Sequence, residues 1–490
     1  MKIRLAPRSG AKRKILFGNA KVRAKTNIRL WILTNKVEFL LPGMENKKNN
    51  KKAKGLIESE TLRVERPEPQ RRAWVVAADM GYGHQRTAYP LRDIAFGGKV
   101  INANSYSGIP KKDKRVWQQT RSLYEFVSRF KRIALLGGLV FSIMDKFQKI
   151  LTYYPKRDLS RPDFSLKNIF YFIQRGWGKD LVERFKKNPL PIISTFFTPA
   201  FMAEELKYPS DIYCVICDAD IARSWVSLDP QKSKIKYFAS NTWTRDRLKL
   251  YGVNSKKIAL TGYPLPKENI GKNQETLKED LRHRIVNLDP SKRYRKIYGP
   301  LIKGILGKLP EKSNHPLTIM FSIGGAGAQK EICLSAINNL KKKIKDRKLR
   351  FIIAVGVREE LRKYFTENIR GLKLDHAVHI LSGITADEYF KNFNEALRET
   401  DVLWTKPSEL SFYAGLGIPI IIAPTIGSQE DFNKKWLLHV GAGIPQENPK
   451  YIDQWFFDLL NAGDLAEAAM QGFVEIEKMG TYNIERIIST

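Results

Sequence analysis

The sequence predicts an α/β protein made of two facing Rossmann-like domains, each built on a parallel sheet. Three observations predict it. Short β-rich runs alternate with helical stretches from residue 73 onward, the pattern of β-α-β units. The alternation comes in two sets, separated by a stretch at 266–315 rich in Lys, Arg, Asn and Pro. Each set opens on a strand that ends in a glycine-rich turn. The length of 490 residues agrees, because a single core stops growing near about 250–300 residues.

Taken in order, residues 1–72 read as a basic extension, 73–300 as the first domain with a linker from about 266, and 301–490 as the second. In the first domain Trp74–Ala78 is strand-like, Met80-Gly81-Tyr82-Gly83-His84 is a turn, and a helix starts near Gln85. Further strands are expected at 191–195, 212–217, 236–239 and 257–261. The stretch 266–315 reads as linker plus one helix. In the second domain strands are expected at 317–323, 350–355, 378–381, 402–405 and 419–423, with amphipathic helices between them. No repeat of fixed period is visible.

Composition bounds the function. An apolar fraction of 43% with 11% aromatics excludes general disorder. The three cysteines, Cys214, Cys217 and Cys333, form no disulfide framework, which favours a reducing compartment. Cys214-x-x-Cys217 has no second pair and lies in an apolar run, so it reads as structural. There are 85 Lys and Arg against 50 Asp and Glu, a formal charge of +35. Such a field attracts polyanions, either nucleic acid or an anionic membrane. About +14 of it falls in residues 1–72, which lack the apolar core of a secretory signal. The apolar patch there, Leu30 to Leu41, is broken by Asn35, Lys36 and Glu38.

No window reaches the roughly 18–20 apolar residues of a transmembrane helix. The nearest, Ile133–Met144, is flanked by Arg129, Lys131, Arg132, Lys146 and Lys149. It reads either as an element lying at a bilayer interface or as a buried helix with solvated ends. Nucleic acid is the less favoured partner, because no recognised binding motif accompanies the charge.

The candidate chemistry lies in the turns. Gly81-Tyr82-Gly83-His84 lets the backbone bend tightly, and Gly324-Gly325-Ala326-Gly327 does the same in the second domain, where small residues permit a diphosphate to approach backbone amides. Neither turn has Walker A spacing. A third stretch, Thr405-Lys406-Pro407-Ser408-Glu409 followed by the strand before Pro424, has the form of a nucleotide-sugar site at strand carboxyl ends. The histidines are scattered without metal-ligand spacing, so no metal and no cofactor is expected; a nucleotide-sugar would be a substrate.

With those residues in place, the span from about Trp74 to about Ile476 resembles the GT-B glycosyltransferases. It is similar to the group containing monogalactosyldiacylglycerol synthases, processive diacylglycerol glucosyltransferases and the N-acetylglucosaminyltransferase of the lipid-linked peptidoglycan precursor. Gly81-Tyr82-Gly83-His84 matches their Gly-Gly-Gly-His turn with one glycine replaced by tyrosine. Cys217-Asp218 with Trp225 matches a Thr-Asp strand end followed by tryptophan, Gly262-Tyr263-Pro264 a Gly-x-Pro turn, and Gly324–Gly327 the donor-domain turn. Gln429, Glu430 and Asn433 match an element that in relatives faces the donor sugar. The donor signature departs from the pattern: the family glutamate would fall on Phe412, and Glu409 lies three residues earlier. Glu409 then takes over a hydroxyl-binding role or serves only the helix dipole.

The resemblance implies a first domain that binds the acceptor and a second that binds the nucleotide-sugar. It implies inverting transfer from a nucleotide-diphosphate sugar, with uridine diphosphate as the expected carrier. The acceptor would be a lipid or lipid-linked hydroxyl at the cytoplasmic membrane face. Transfer needs a general base and stabilisation of the leaving diphosphate. His84 or Asp218 is the base, with Asp220 a weaker rival. Gly81, Tyr82, Gly83, Arg223 and Trp225 line the acceptor side. The turn amides, Lys406 and Ser408 meet the donor. Three other readings stay open: a nucleotide-sugar epimerase of the same architecture, a nucleic-acid binder, and a non-catalytic sugar-binding scaffold.

Overall fold

The computed structural model describes residues 72–130, 150–324, 327, 329–425 and 428–489. The leader up to residue 71, the segment Ile133–Met144, and Gly325 and Ala326 lie outside the described residues.

Two six-stranded, all-parallel sheets form the frame, the GT-B arrangement of two Rossmann-like domains. The first holds β1 (Trp74–Ala77), β2 (Ile101–Asn102), β3 (Ile192–Ser194), β4 (Ile212–Val215), β5 (Lys236–Ala239) and β6 (Ile258–Leu260) in the order β2-β1-β3-β4-β5-β6. The second holds β7 (Thr318–Ser322), β8 (Arg350–Gly356), β9 (Val378–Ser382), β10 (Val402–Thr405), β11 (Ile420–Ile422) and β12 (Gly443–Pro445) in the order β12-β11-β10-β7-β8-β9. Strands covered on both faces read as unbroken apolar runs rather than alternation. β4 (Ile-Tyr-Cys-Val) and β11 (Ile-Ile-Ile) are such runs and are buried throughout.

Strand alternation assigns side chains to the two faces of the first sheet. Val76, Ile192, Cys214 and Tyr237 enter the large core. Their neighbours Val75, Ala77, Ile193, Tyr213, Val215 and Phe238 form a second, smaller core with Ala88, Leu91 and Ile94. Two residues of that core, Ile484 and Ile488, come from the last helix, Gly480–Ser489. A division of the chain at residue 301 gives this helix to the second domain, yet its apolar face closes the first sheet. The crossing is held by Asn483, whose amide donates to the Thr261 carbonyl at 2.9 Å, and by Thr481, which donates to Leu265 O. Gly480 lets the backbones touch there, since a Cβ would lie 2.2 Å from Tyr263 O.

Other departures are local. The helix after β1 runs Tyr82–Ala88, because Gly81 alone makes the turn with φ of 118°. The stretch 266–315 carries two helices, Glu275–Leu288 and Arg293–Leu306, instead of one. The short edge strands β2 and β12 were not expected.

Candidate active site at the interdomain junction

In open parallel sheets, sites form beyond the strand carboxyl ends where the strand order reverses. The first sheet reverses between β1 and β3, the second between β7 and β10. The helix holding His84 starts at the turn after β1, and Thr195 follows β3. Gly324 follows β7, and Lys406 follows β10; a Cβ on Gly324 would sit 3.1 Å from Lys406 Cε. Side chains from the two sets of strand ends meet one another.

His84 is fixed by Thr195. Its Nδ1 lies 2.9 Å from the Thr195 carbonyl, and the Thr195 hydroxyl donates back to His84 O at 2.8 Å. A carbonyl only accepts, so the pairing assigns the proton to Nδ1 and leaves Nε2 as the bare nitrogen. The Cys217 sulfur is 3.3 Å from the same Nδ1, and the rings of Phe196 and Trp225 stand at 4.7 and 6.0 Å. Desolvation lowers the His84 pKa to about 4, against the Thr195 hydrogen bond and the negative charge of Glu409. The imidazole is neutral at physiological pH.

Asp218, just beyond β4, has the opposite shift. Desolvation raises its pKa to about 6; an Asn433 hydrogen bond opposes this, Glu409 and Glu430 add to it, and Lys406 opposes it. All four of these neighbours belong to the second-domain segment. Asn433, in helix Ser428–His439, donates from Nδ2 to Asp218 Oδ1 at 3.2 Å, and its Oδ1 accepts from Ala219 N at 2.8 Å. Lys406 donates to Glu430 at 2.7 Å.

Glu409 opens a 3-10 helix, Glu409–Leu416, whose N-cap is Ser408. Its carboxylate is not turned to an open donor site: it pairs at 3.2 Å with the buried Arg86 of the first domain. The Arg86 guanidinium lies 4.3 Å from the Phe393 ring centroid and 4.8 Å from that of Phe390. Gly83 faces the same carboxylate, and a Cβ there would stand 3.1 Å from Glu409 Oε2. Tyr82, the departure from the glycine motif, reaches across as well: its hydroxyl accepts from Val357 N at 2.9 Å and its ring packs 5.4 Å from Tyr389.

The expected residues therefore divide. Tyr82, Gly83, His84, Asp218, Lys406, Glu409, Glu430 and Asn433 gather at the junction. Gly81 is exposed at the turn, and Gln429 lies beside Glu430 in its helix. Gly324 and Gly327 shape the turn after β7, with Gly327 N bonded to Gly324 O at 2.9 Å. Arg223 is a correction. Its guanidinium is spent on the carbonyls of Ser160, Val226, Ser227 and Leu228, so it clamps a loop and presents no donors to an acceptor. Trp225 is buried as a wall behind His84. Asp220 is also removed as a rival base, since Arg247 holds it at 2.7 and 2.9 Å. Among the described residues, no group of three or more His, Cys, Asp or Glu could hold a metal ion.

Three residues of the junction were missed. Thr195 carried no motif. Arg86 follows Tyr82 by four positions and so shares its helix face, a signal that was readable. Gln329, the N-cap of helix Lys330–Lys345, donates to Pro424 O at 3.1 Å and ties the turn after β7 to the end of β11.

A family model described as a domain of unknown function (DUF6938) matches residues 310–396. No curated protein matches. Among solved structures, the Staphylococcus aureus MnaA-UDP complex is 10% identical, covers 84% of this chain and 95% of its own, and gives a TM-score of 0.45. MurG from Acinetobacter baumannii is 15% identical over 65% and 78%, with a TM-score of 0.42. A glycosyltransferase from Rickettsia africae is 14% identical over 84% and 96%, with a TM-score of 0.39. At identities and TM-scores this low, the chemistry has to be argued from the residues of the junction.

Proposed function

We propose that this protein is a glycosyltransferase that moves a sugar from a nucleoside-diphosphate donor, with uridine as the expected base, to a hydroxyl of a lipid or lipid-linked acceptor at a cytoplasmic membrane face. One observation carries the reading. Asp218, whose pKa is raised to about 6, stands across the domain junction from the Lys406–Glu430 pair at the second sheet's reversal point.

A base is most effective when its pKa lies near the working pH. Asp218 meets that condition and His84, at about 4, does not. Asp218 takes the acceptor hydroxyl proton, and the oxygen attacks the anomeric carbon. The bond from that carbon to the diphosphate breaks, and the electron pair leaves with the diphosphate. Lys406, beside Gly324 at the second sheet's strand ends, meets the charge that develops there. His84, neutral with Nε2 bare, accepts a hydrogen bond from the acceptor and orients it. The +35 charge favours an anionic membrane surface as the place of work.

The first test is a thermal melt against uridine, guanosine, adenosine and thymidine diphosphates. A ligand at a hundredfold excess over its Kd stabilises by about 2.7 kcal/mol, so one nucleotide should raise Tm selectively. The second is incubation of the matching nucleotide-sugar with and without anionic vesicles carrying lipid hydroxyls. Sugar appearing on lipid supports transfer. A converted nucleotide-sugar without acceptor gives the epimerase reading, and no nucleotide effect at all sinks both.

A further inference from the structure

Resting on the assignment of Asp218 as proton acceptor, we propose that Asn433 is a positioning residue that holds the Asp218 carboxylate from the opposite domain, so that the base is assembled only where the two domains meet. The geometry is specific. A single amide grips the segment just after β4 twice, accepting the Ala219 backbone N–H at 2.8 Å and donating to Asp218 Oδ1 at 3.2 Å. The backbone N–H can only donate, so the Asn433 oxygen must face it and the NH2 must face the carboxylate. The side chain is 1% exposed, which removes water as a competing partner for either end.

The remaining surroundings show why a grip is required. From its own domain Asp218 has Cys217 beside it, with the sulfur 4.0 Å from Oδ2, and the Ser240 hydroxyl donating to its backbone carbonyl at 3.0 Å. From the second domain it faces the charges of Glu409, Glu430 and Lys406. Glu409 is paired with Arg86 and Lys406 with Glu430. Two of the three neighbouring charges repel a carboxylate, and Asn433 is the neutral donor that favours its ionised, oriented form. Because Asn433 stands on the helix that follows β11, moving the domains apart withdraws it.

The test reads the carboxyl directly. Protein labelled with carbon-13 at the aspartate side-chain carboxyls is titrated by NMR, with the Asp218 signal identified by its loss in Asp218→Asn. Asn433→Asp preserves size and the acceptor for Ala219 N–H, but replaces the donor with a second carboxylate. The pair should take up its proton at higher pH, by roughly tenfold or more in proton affinity, as two carboxylates sharing a site do. Asn433→Ala should move Asp218 in the same direction and by less. Either variant that folds decides the matter. A titration that stays at the wild-type pH or falls overturns the inference, because the amide then neither orients nor stabilises the carboxylate. A parallel melt with uridine diphosphate separates the two levels: loss of the nucleotide effect in wild type defeats the transferase reading, whereas an unmoved titration with the nucleotide effect intact defeats only the role of Asn433.

Discussion

At the scale of the residue, the decisive feature is that His84 and Asp218 are driven in opposite directions by burial. For Asp218 the sign is as follows. A carboxylate whose pKa rises to about 6 from 3.8 binds its proton more tightly when folded, so its contribution to stability is present below about 3.8 and is lost as pH rises to about 6. His84 runs the other way: with its pKa lowered from 6.5 to about 4, stability is lost as pH falls through that window. Both effects act in wild type, but the comparison with Asp218→Asn isolates the aspartate. Stability measured by urea unfolding should shift in favour of Asp218→Asn as pH is raised from 4 to 7, while transfer is abolished. The wild-type rate should fall on the acid side with a midpoint near 6. A limb near 4 would return the base role to His84.

His84, Asp218, Lys406 and Asn433, which the sequence singles out by motif, all lie at the junction, while the roles given to them there belong to the proposal. What a motif does not carry is the partner, which lies far away in the chain. Arg86 and Glu409 are 323 positions apart, and Asn433 and Asp218 are 215 apart. Nothing local to Glu409 distinguishes a carboxylate that binds a ribose from one that neutralises a buried arginine.

At the scale of the element, the ten strands that were anticipated carry short apolar runs; eight are buried nearly throughout, and the edge strands Ile258–Leu260 and Val378–Ser382 are partly exposed. The two that were missed, Ile101–Asn102 and Gly443–Pro445, are edge strands of two and three residues, too short to carry a period. The final helix, Gly480–Ser489, lies beyond the last expected strand and was not anticipated. Its Ile484 and Ile488 are one turn apart and both enter the small core beneath the first sheet. Truncating a buried isoleucine to alanine costs about 2–5 kcal/mol. Ile484→Ala and Ile488→Ala should therefore each destabilise the first domain by about that much. Hydrogen exchange should rise in β1, β3 and β4, whose Val75, Ile193 and Val215 they cover, and leave β7 and β10 protected. Loss of protection confined to the second sheet would contradict the assignment of the helix.

At the scale of the whole molecule, three links join the strand ends of the two sheets: Tyr82 to Val357, Arg86 to Glu409, and Asn433 to Asp218 with Ala219. Two of them leave from one seven-residue helix, Tyr82–Ala88, which begins at the Gly81 turn and itself carries His84. The turn is thereby tied to the second domain, and the Tyr82 substitution in an otherwise glycine-rich motif has a physical use. Gly356 is shaped to receive it, since a Cβ there would lie 2.5 Å from the Tyr82 hydroxyl oxygen. The Arg86–Glu409 pair makes separation of the domains costly in either half-broken form, because removing one partner of a buried pair leaves an uncompensated charge, typically about 3–5 kcal/mol. Combining Tyr82→Ala with Glu409→Gln should loosen the junction while leaving each sheet intact. Small-angle scattering should then show a larger radius of gyration than wild type, and a single unfolding transition should resolve into two. Uridine diphosphate should still raise the transition of the second domain, because neither substitution touches the turn after β7 or Lys406. An unchanged radius with one cooperative transition would mean that the domains are coupled through the last helix and its crossing at Gly480 rather than through the strand ends.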